Sequence, residues 1–277
     1  MTEQEARYDR IAEGYAEWWA PVHRTATVAL LDEVAPDVEA GATRLLDVGC
    51  GTGALAAAAV TRWPGVVVDG VDASAGMLAV AERQRSTLDA RAGARIRLRH
   101  GYADGLPYED ATFDLVVSAF VLQLVPSRLR ALRELRRVLR PGGRLAYVTW
   151  LRGGPPFAAD DAFDDALVAV GLEPRERGGG DGDDPASPAA AAAQLRRAGF
   201  GAVRARAATL AHEFSEAGFV GFLSQFDEED RFASLAPDVR ARLDAELRAR
   251  LRALPPDGLR LVLPIVYAAG RRPDDAA

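Results

Sequence analysis

Short apolar runs alternate along this chain with longer stretches whose apolar positions recur at helical spacing. Residues 1–43 show helical spacing alone: in "TATVALLDEVAP", Val28, Leu31 and Val34 fall on one face. "TRLLDVG" then predicts a short buried strand, and the Ala-rich "GALAAAAVTRW" a helix that stops before Pro64. "VVVDGVDAS" predicts a second strand and "AGMLAVAERQRS" a second helix. In "ARIRLRHG", Ile96 and Leu98 alternate with arginines, the pattern of a half-exposed third strand ending at His100. "FDLVVSAFV" reads as a fourth strand and "RLAYVTW" as a fifth. Between them, "SRLRALRELRRVLRPGG" predicts a helix opened by an N-cap at Ser127 and closed at Pro141-Gly142-Gly143. Its Leu129, Leu132, Leu135 and Leu139 are expected inward, and its arginines on a solvated face. Strands alternating with helices predict βαβ units and a mainly parallel sheet.

The alternation breaks after residue 150. One helix is expected before the Gly/Asp/Pro run "RGGGDGDDPASP", read as a surface linker. "AAAAAQLRRAGFGAVRARAATLA" restores a helix, a Gly turn and a strand. Residues 211–260 form a second insertion, with Val239, Leu243, Leu247 and Leu251 at helical spacing. "LRLVLPIVYAAGRR" is a late strand. The expected organisation is an N-terminal helical cap (1–43), a core (44–150), an insertion (151–187), the core continued (188–210), a helical lid (211–260), and a last core strand with its tail (261–277).

Composition narrows the class. The chain has 277 residues and is 49% hydrophobic, enough for a full core. No run of about 18 apolar residues is present, and "MTEQEARYDRIAEGY" lacks the basic start and apolar run of a secretion signal. The single cysteine, Cys50, has no partner for an internal disulfide. A soluble cytoplasmic protein without a membrane span is expected. The net charge of −6 disfavours a nucleic-acid partner, because phosphate binding needs a basic face. All 34 residues counted as Lys or Arg are arginine, a codon-usage trait without mechanistic weight.

The chemistry is concentrated in "RLLDVGCGTGALA" (44–56). Asp47 ends the first strand, and Gly49, Gly51 and Gly53 follow as G-x-G-x-G. Glycine permits a tight turn and lets a ligand approach the backbone. The following helix offers free N–H groups to a negative group. Asp72, at the tip of the second strand, is placed to accept from both hydroxyls of a ribose. The third glycine comes one residue early for the dinucleotide fingerprint G-x-G-x-x-G, and position 54 is Ala. No P-loop exists, since the chain has no lysine. A ligand with a ribose and a charged tail fits better than NAD.

"LLDVGCGTG" resembles the first motif of class I S-adenosylmethionine (SAM)-dependent methyltransferases, and further matches come in order. "VDASAGML" resembles the ribose-binding segment, "YADGLPYEDATFDLVVSAFVLQLV" the adenine loop and fourth strand, and "VLRPGGRL" the motif before the fifth strand. "AQLRRAGFGAV" resembles the last helix-turn-strand. "YDRIAEGYAEWW" resembles the N-terminal segment of small-molecule members near the ubiquinone/menaquinone-biosynthesis type. The resemblance covers about residues 5–210 and the final strand. It implies an α/β, Rossmann-like, seven-stranded sheet flanked by helices, its last strand antiparallel, with a helical cap. It implies SAM as cofactor and S-adenosylhomocysteine as product. By position it assigns Gly49 and Gly51 to the methionine end, Asp47 to the amino group, Asp72 to the ribose, Ala73 and Met77 to the adenine, and the Ser118 carbonyl to the amino group. Tyr15, in the N-terminal segment, joins the cofactor set. Where the family carries an acid in the adenine loop, this chain has Tyr102, followed by Ala103, whose N–H still serves the adenine. Tyr102 either stacks on the ring or accepts through its hydroxyl, or Asp104 substitutes.

Methyl transfer from a sulfonium needs alignment and exclusion of water more than a catalytic signature. A base helps where the acceptor is a hydroxyl or a carbon acid. His23 and His212 are the candidates, with His100 read as structural. Trp18 and Trp19 point to different sides of a helix, so at most one lines a pocket. Phe214, Phe219, Phe222, Phe226 and Phe232 give the second insertion an apolar inner face, either lid core or pocket wall. The expected function is methylation of a small, largely hydrophobic or aromatic acceptor in secondary metabolism, by a homodimer. The alternatives are a SAM-fold protein that does not methylate, or a macromolecule methyltransferase. Against the latter, no N-P-P-Y or D-P-P-Y follows the fourth strand, where "SAFVLQ" stands. No metal is expected.

Overall fold

The computed structural model describes residues 3–175 and 184–274. The glycine- and aspartate-rich stretch 176–183, part of the expected linker, lies outside them. The chain opens with helix α1 (Glu3–Gly14), a π-helical turn (Tyr15–Trp19), α2 (Ala20–Ala29), a 3-10 turn (Leu30–Glu33) and α3 (Ala35–Glu39). The core follows as β1 (Arg44–Val48), α4 (Ala54–Arg62), β2 (Val67–Asp72), α5 (Ala75–Ser86), α6 (Ala90–Gly93), β3 (Ile96–His100), β4 (Phe113–Ala119), α7 (Arg128–Val138) and β5 (Leu139–Trp150). Next come α8 (Ala158–Ala169), α9 (Pro188–Arg197), β6 (Gly201–Glu213) and α10 (Glu216–Phe222). A second π-helical turn (Leu223–Asp227), α11 (Glu229–Ser234), α12 (Pro237–Arg252) and β7 (Arg260–Arg271) complete the chain.

The strands form one seven-stranded sheet in the order β3-β2-β1-β4-β5-β7-β6. β1 to β5 pair in parallel, and β7 runs antiparallel to both β5 and β6. The pleat divides the core. Leu45, Val68, Leu115, Val117 and Val148 face one layer, with α2, α4, α8 and the lid helices. Leu46, Val48, Val116, Leu145 and Tyr147 face the other, with α7 and α9. Burial on both faces explains why the central strands read as near-continuous apolar runs.

The boundaries expected at 210 and 261 shift slightly. β6 continues to Glu213 because the edge ladder does: His212 pairs with Leu261 and Glu213 with Arg260. His212 therefore stands within a strand, not after it. In α7 the buried face is Ala131, Leu132, Leu135 and Val138, while Leu129 is 37% exposed, contrary to the expected inward stripe. Leu129 follows Ser127 by two residues, so it falls on the outer side of the first turn. Ser127 does cap α7, accepting from the Arg130 N–H at 3.4 Å.

The N-terminal helices roof the carboxyl ends of the parallel strands. Two glycines allow the close approach. A Cβ on Gly14 would lie 2.0 Å from the Gln225 carbonyl oxygen, and one on Gly221 would strike the Trp18 ring at 2.5 Å. Roof and lid therefore meet backbone against backbone at Gly14 and backbone against ring at Gly221, each contact involving one of the two π-helical turns.

Candidate functional site

The turn after β1 holds three glycines in left-handed conformation, with φ of +69° at Gly49, +51° at Gly51 and +83° at Gly53. At Gly49 an added Cβ would collide with Val121 at 2.1 Å, whereas at Gly51 it would enter open space. The Gly49 and Cys50 N–H groups donate to the Val71 carbonyl at 2.8 and 3.0 Å, which fixes the turn to β2. The Gly51 N–H donates to Asp72 Oδ2 at 2.8 Å, and the Ser74 N–H to Asp72 Oδ1 at 2.9 Å. Turn and carboxylate thus form one unit. Burial raises the Asp72 pKa, opposed by those backbone hydrogen bonds.

The unit lines a cavity of about 430 Å³. Tyr15, Gly49, Gly51, Asp72, Ala73, Met77, Tyr102 and Ala103 all face it, as do Tyr8 and Asp104. Helix α1 closes one side. Asp9 accepts from the Ser74 hydroxyl at 2.6 Å and from the Gly76 N–H at 2.9 Å, so it pins α1 to the start of α5. These bonds, the one from Ser74 foremost, lower the Asp9 pKa. The Tyr102 hydroxyl is committed to Glu5 of α1, which raises the Tyr102 pKa. The Tyr102 ring stands edge-on to His100, whose Nε2 lies 2.8 Å from the Ala73 carbonyl. The residue that departs from the family pattern therefore helps hold the roof.

Asp47 lies under the turn, 1% exposed, facing a small separate cavity of about 40 Å³ that it shares with Tyr15, His23, Gly49 and Gly51. Its Oδ2 has no hydrogen-bond partner among the described residues. Burial first, and the Asp72 charge second, push its carboxyl up to about 7. Ser118 lines none of these cavities. Its hydroxyl donates to the Val48 carbonyl at 2.9 Å, and the neighbouring Ala119 is the residue that reaches both.

A second chamber of about 370 Å³ adjoins the first across Tyr8, Tyr15, Phe120 and Leu124. Trp19, Phe120 and Trp150 wall it: the Phe120 and Trp150 centroids are 4.2 Å apart, and those of Trp19 and Trp150 6.2 Å. Trp19 alone of the tryptophan pair reaches it. Trp18 packs on Gly221 and donates to Gln225 Oε1 at 3.1 Å. The phenylalanine stripe is lid core. Phe222 and Phe226 back Trp19, the latter stacked at 5.8 Å, and neither they nor the other three line the chamber.

The two candidate bases part company. The His23 ring is 7% exposed, with Nε2 at 2.8 Å from the Tyr15 hydroxyl and Nδ1 at 3.1 Å from Thr27 Oγ1. Burial drives its pKa down to about 4, so it is neutral near pH 7. With the proton assigned to Nδ1, Nε2 accepts from Tyr15. His212 lines none of these cavities. It sits on β6 with its ring edge-on to Phe214 at 4.5 Å, its pKa lowered by burial.

The pattern of apolar residues did not single out Tyr8, Phe120 or Trp150. A signal existed for the last two: they stand at the carboxyl ends of β4 and β5, where open α/β sheets bind ligands. Phe120 also carries φ of +57°, unusual for a large side chain and held by the bond from its N–H to the Val148 carbonyl at 2.8 Å.

Strand order, glycine turn and carboxylate define the class I methyltransferase fold. Residues 46–147 match the family described as methyltransferase domain. The demethylmenaquinone methyltransferase of Shouchella clausii is 44% identical over 111 residues, which is 39% of this chain and 45% of that protein. The chain thus spans less than half the length of that relative. Among solved structures, the YcgJ protein from Bacillus subtilis superposes with a TM-score of 0.59 at 20% identity, covering 91% of this chain and 100% of that one. The [4+2]-cyclase SpnF does so with a TM-score of 0.59 at 21% identity, covering 99% and 97%.

Proposed function

We propose that this protein is a SAM-dependent methyltransferase acting on a small, largely hydrophobic or aromatic acceptor of secondary metabolism. The observation that carries the reading is that two chambers share the Tyr15 wall: a glycine-and-carboxylate site on one side, an aromatic chamber on the other. The first site suits the donor. Asp72 has lone pairs left for two ribose hydroxyls beyond its two backbone bonds. Asp47, in the small adjoining cavity beneath the turn, offers an oxygen without a partner among the described residues to an ammonium that reaches past Gly49 and Gly51, and Met77 and Ala73 offer an apolar seat for adenine. The relative in Shouchella clausii is named for a small-molecule acceptor, which agrees.

SAM supplies an activated methyl group on a sulfonium. The protein's share is orientation and the exclusion of water. Tyr15 is the polar group at the junction. Its proton is committed to His23, so its oxygen is left to accept from the hydroxyl or amine of the acceptor. His23, with a pKa near 4, is a positioning residue behind Tyr15, not the base.

Calorimetry with S-adenosylhomocysteine tests the donor site. Asp72→Ala should weaken binding on the order of 100-fold, because it strands the ribose hydroxyls and frees the Gly51 N–H. Unchanged affinity would overturn the assignment. The alternative is a SAM-fold protein that does not methylate, a reading encouraged by the shared fold of a [4+2]-cyclase. Binding without transfer of labelled methyl to any member of an aromatic acceptor panel would favour it.

A further inference from the structure

Leu151, Arg152, Gly153 and Asp184 line the aromatic chamber without touching the first cavity, unlike Tyr8, Tyr15, Phe120 and Leu124, which line both. The root of Arg152 is fixed. The Leu151 N–H donates to the Pro264 carbonyl at 2.9 Å, and the Arg152 N–H to the Pro185 carbonyl at 3.1 Å. The other polar side chains of that wall are engaged. Gln123 donates to the Phe120 carbonyl at 2.7 Å and accepts from the Thr149 hydroxyl at 2.9 Å. Asp184 pairs with the buried Arg128 at 3.1 Å. Arg152, by contrast, is an exposed residue of the lining that makes no side-chain hydrogen bond or ion pair among the described residues.

We propose that the chamber takes a planar apolar molecule bearing an anionic group, a carboxylate or a phosphate, and that Arg152 reads this group at the end opposite the reacting atom. This rests on the methyltransferase reading for which end reacts, but the recognition itself does not. The guanidinium fork matches either anion in two parallel hydrogen bonds. Aromatic walls on Trp19, Phe120 and Trp150 hold the planar body. The chain's net charge of −6 repels anions in general, so a preference for an anion must be local.

The test uses trans-cinnamate and phenyl phosphate as anionic probes and cinnamamide as the neutral one. Each is titrated calorimetrically into the full chain saturated with S-adenosylhomocysteine. At least one anion should bind about tenfold more tightly than the amide, and the preference should shrink as salt is raised. Arg152→Gln should bring the ratio to about one without changing cinnamamide affinity, and Arg152→Lys should restore part of it. Equal affinities for the three probes, a ratio untouched in Arg152→Gln, or no binding of any probe would overturn the proposal. S-adenosylhomocysteine binding is measured separately. Its absence, with the Arg152-dependent preference intact when the probes are titrated alone, would sink the donor reading and leave this one standing.

Discussion

Asp47 and Asp72 end adjacent strands, yet their environments differ. Asp72 is held by two backbone N–H groups, while Asp47 keeps one oxygen unpartnered and its carboxyl titrates near 7. Below that pH Asp47 is neutral and offers an incoming ammonium no charge. S-adenosylhomocysteine affinity measured by calorimetry should therefore fall up to about tenfold per pH unit between 7 and 5.5 and level off above 7, and Asp47→Asn should abolish the dependence. Stability carries the opposite sign. A carboxyl whose pKa is raised by folding contributes most below its ordinary value of about 3.9 and loses that contribution as pH rises toward 7. The thermal shift produced by the ligand should accordingly be larger at pH 7.5 than at pH 5.5. Tyr15→Phe removes only the junction hydroxyl, so turnover should drop about 10- to 100-fold with little change in S-adenosylhomocysteine affinity. Equal losses in both would make Tyr15 a donor-site residue alone. The role of His23 was legible in part: the sequence marks a histidine near the cap, but only the fold brings Tyr15 to its Nε2, eight positions back along a π-distorted helix.

At the scale of elements, the first helix acts as a strap over the cavity lined by the glycine turn. Asp9 is its fastening, satisfying the Ser74 hydroxyl and the Gly76 N–H at the start of α5. Asp9→Ala should cost α1 about 1–2 kcal/mol of docking, as the loss of a helix cap does. Amide exchange should then rise in residues 3–14 while the central strands stay protected, and uniform deprotection would argue against a strap. The capping at Ser127 could be read directly from sequence, because it is local. The fastening by Asp9 could not, because its partners lie 65 and 67 positions away. Leu129 was misplaced for a related reason. Helical spacing gives a face, and the strand and helix neighbours decide which face is inward.

For the whole molecule, Asp37 of α3 ties the N-terminal region to the sheet by pairing with Arg144 on β5 and Arg271 on β7. Arg144 is buried, so Asp37→Ala leaves a cation without its partner inside the protein. The expected destabilisation is about 3–5 kcal/mol, read as a lower urea midpoint at unchanged slope. A loss under about 1 kcal/mol would place the pair with ordinary surface bridges. The Tyr267 hydroxyl reinforces the same seam by donating to the Ala26 carbonyl of α2 at 2.9 Å.

Sequence alone determined the order of strands and helices, the glycine turn and the acid that follows it, because these depend on side-chain periodicity and on backbone angles that few residues accept. It also carried the family resemblance, a matter of ordered local motifs. Tertiary structure decided what surrounds them. It set Asp47 apart from the main cavity, put Ala119 rather than Ser118 at its wall, and left His212 on an edge strand. It joined Tyr8, Tyr15, Trp19, Phe120 and Trp150, drawn from the roof and from two strand ends, into one aromatic chamber. Those residues meet only when the sheet is closed over by its helices, and no local pattern encodes a contact that exists only after the chain has packed.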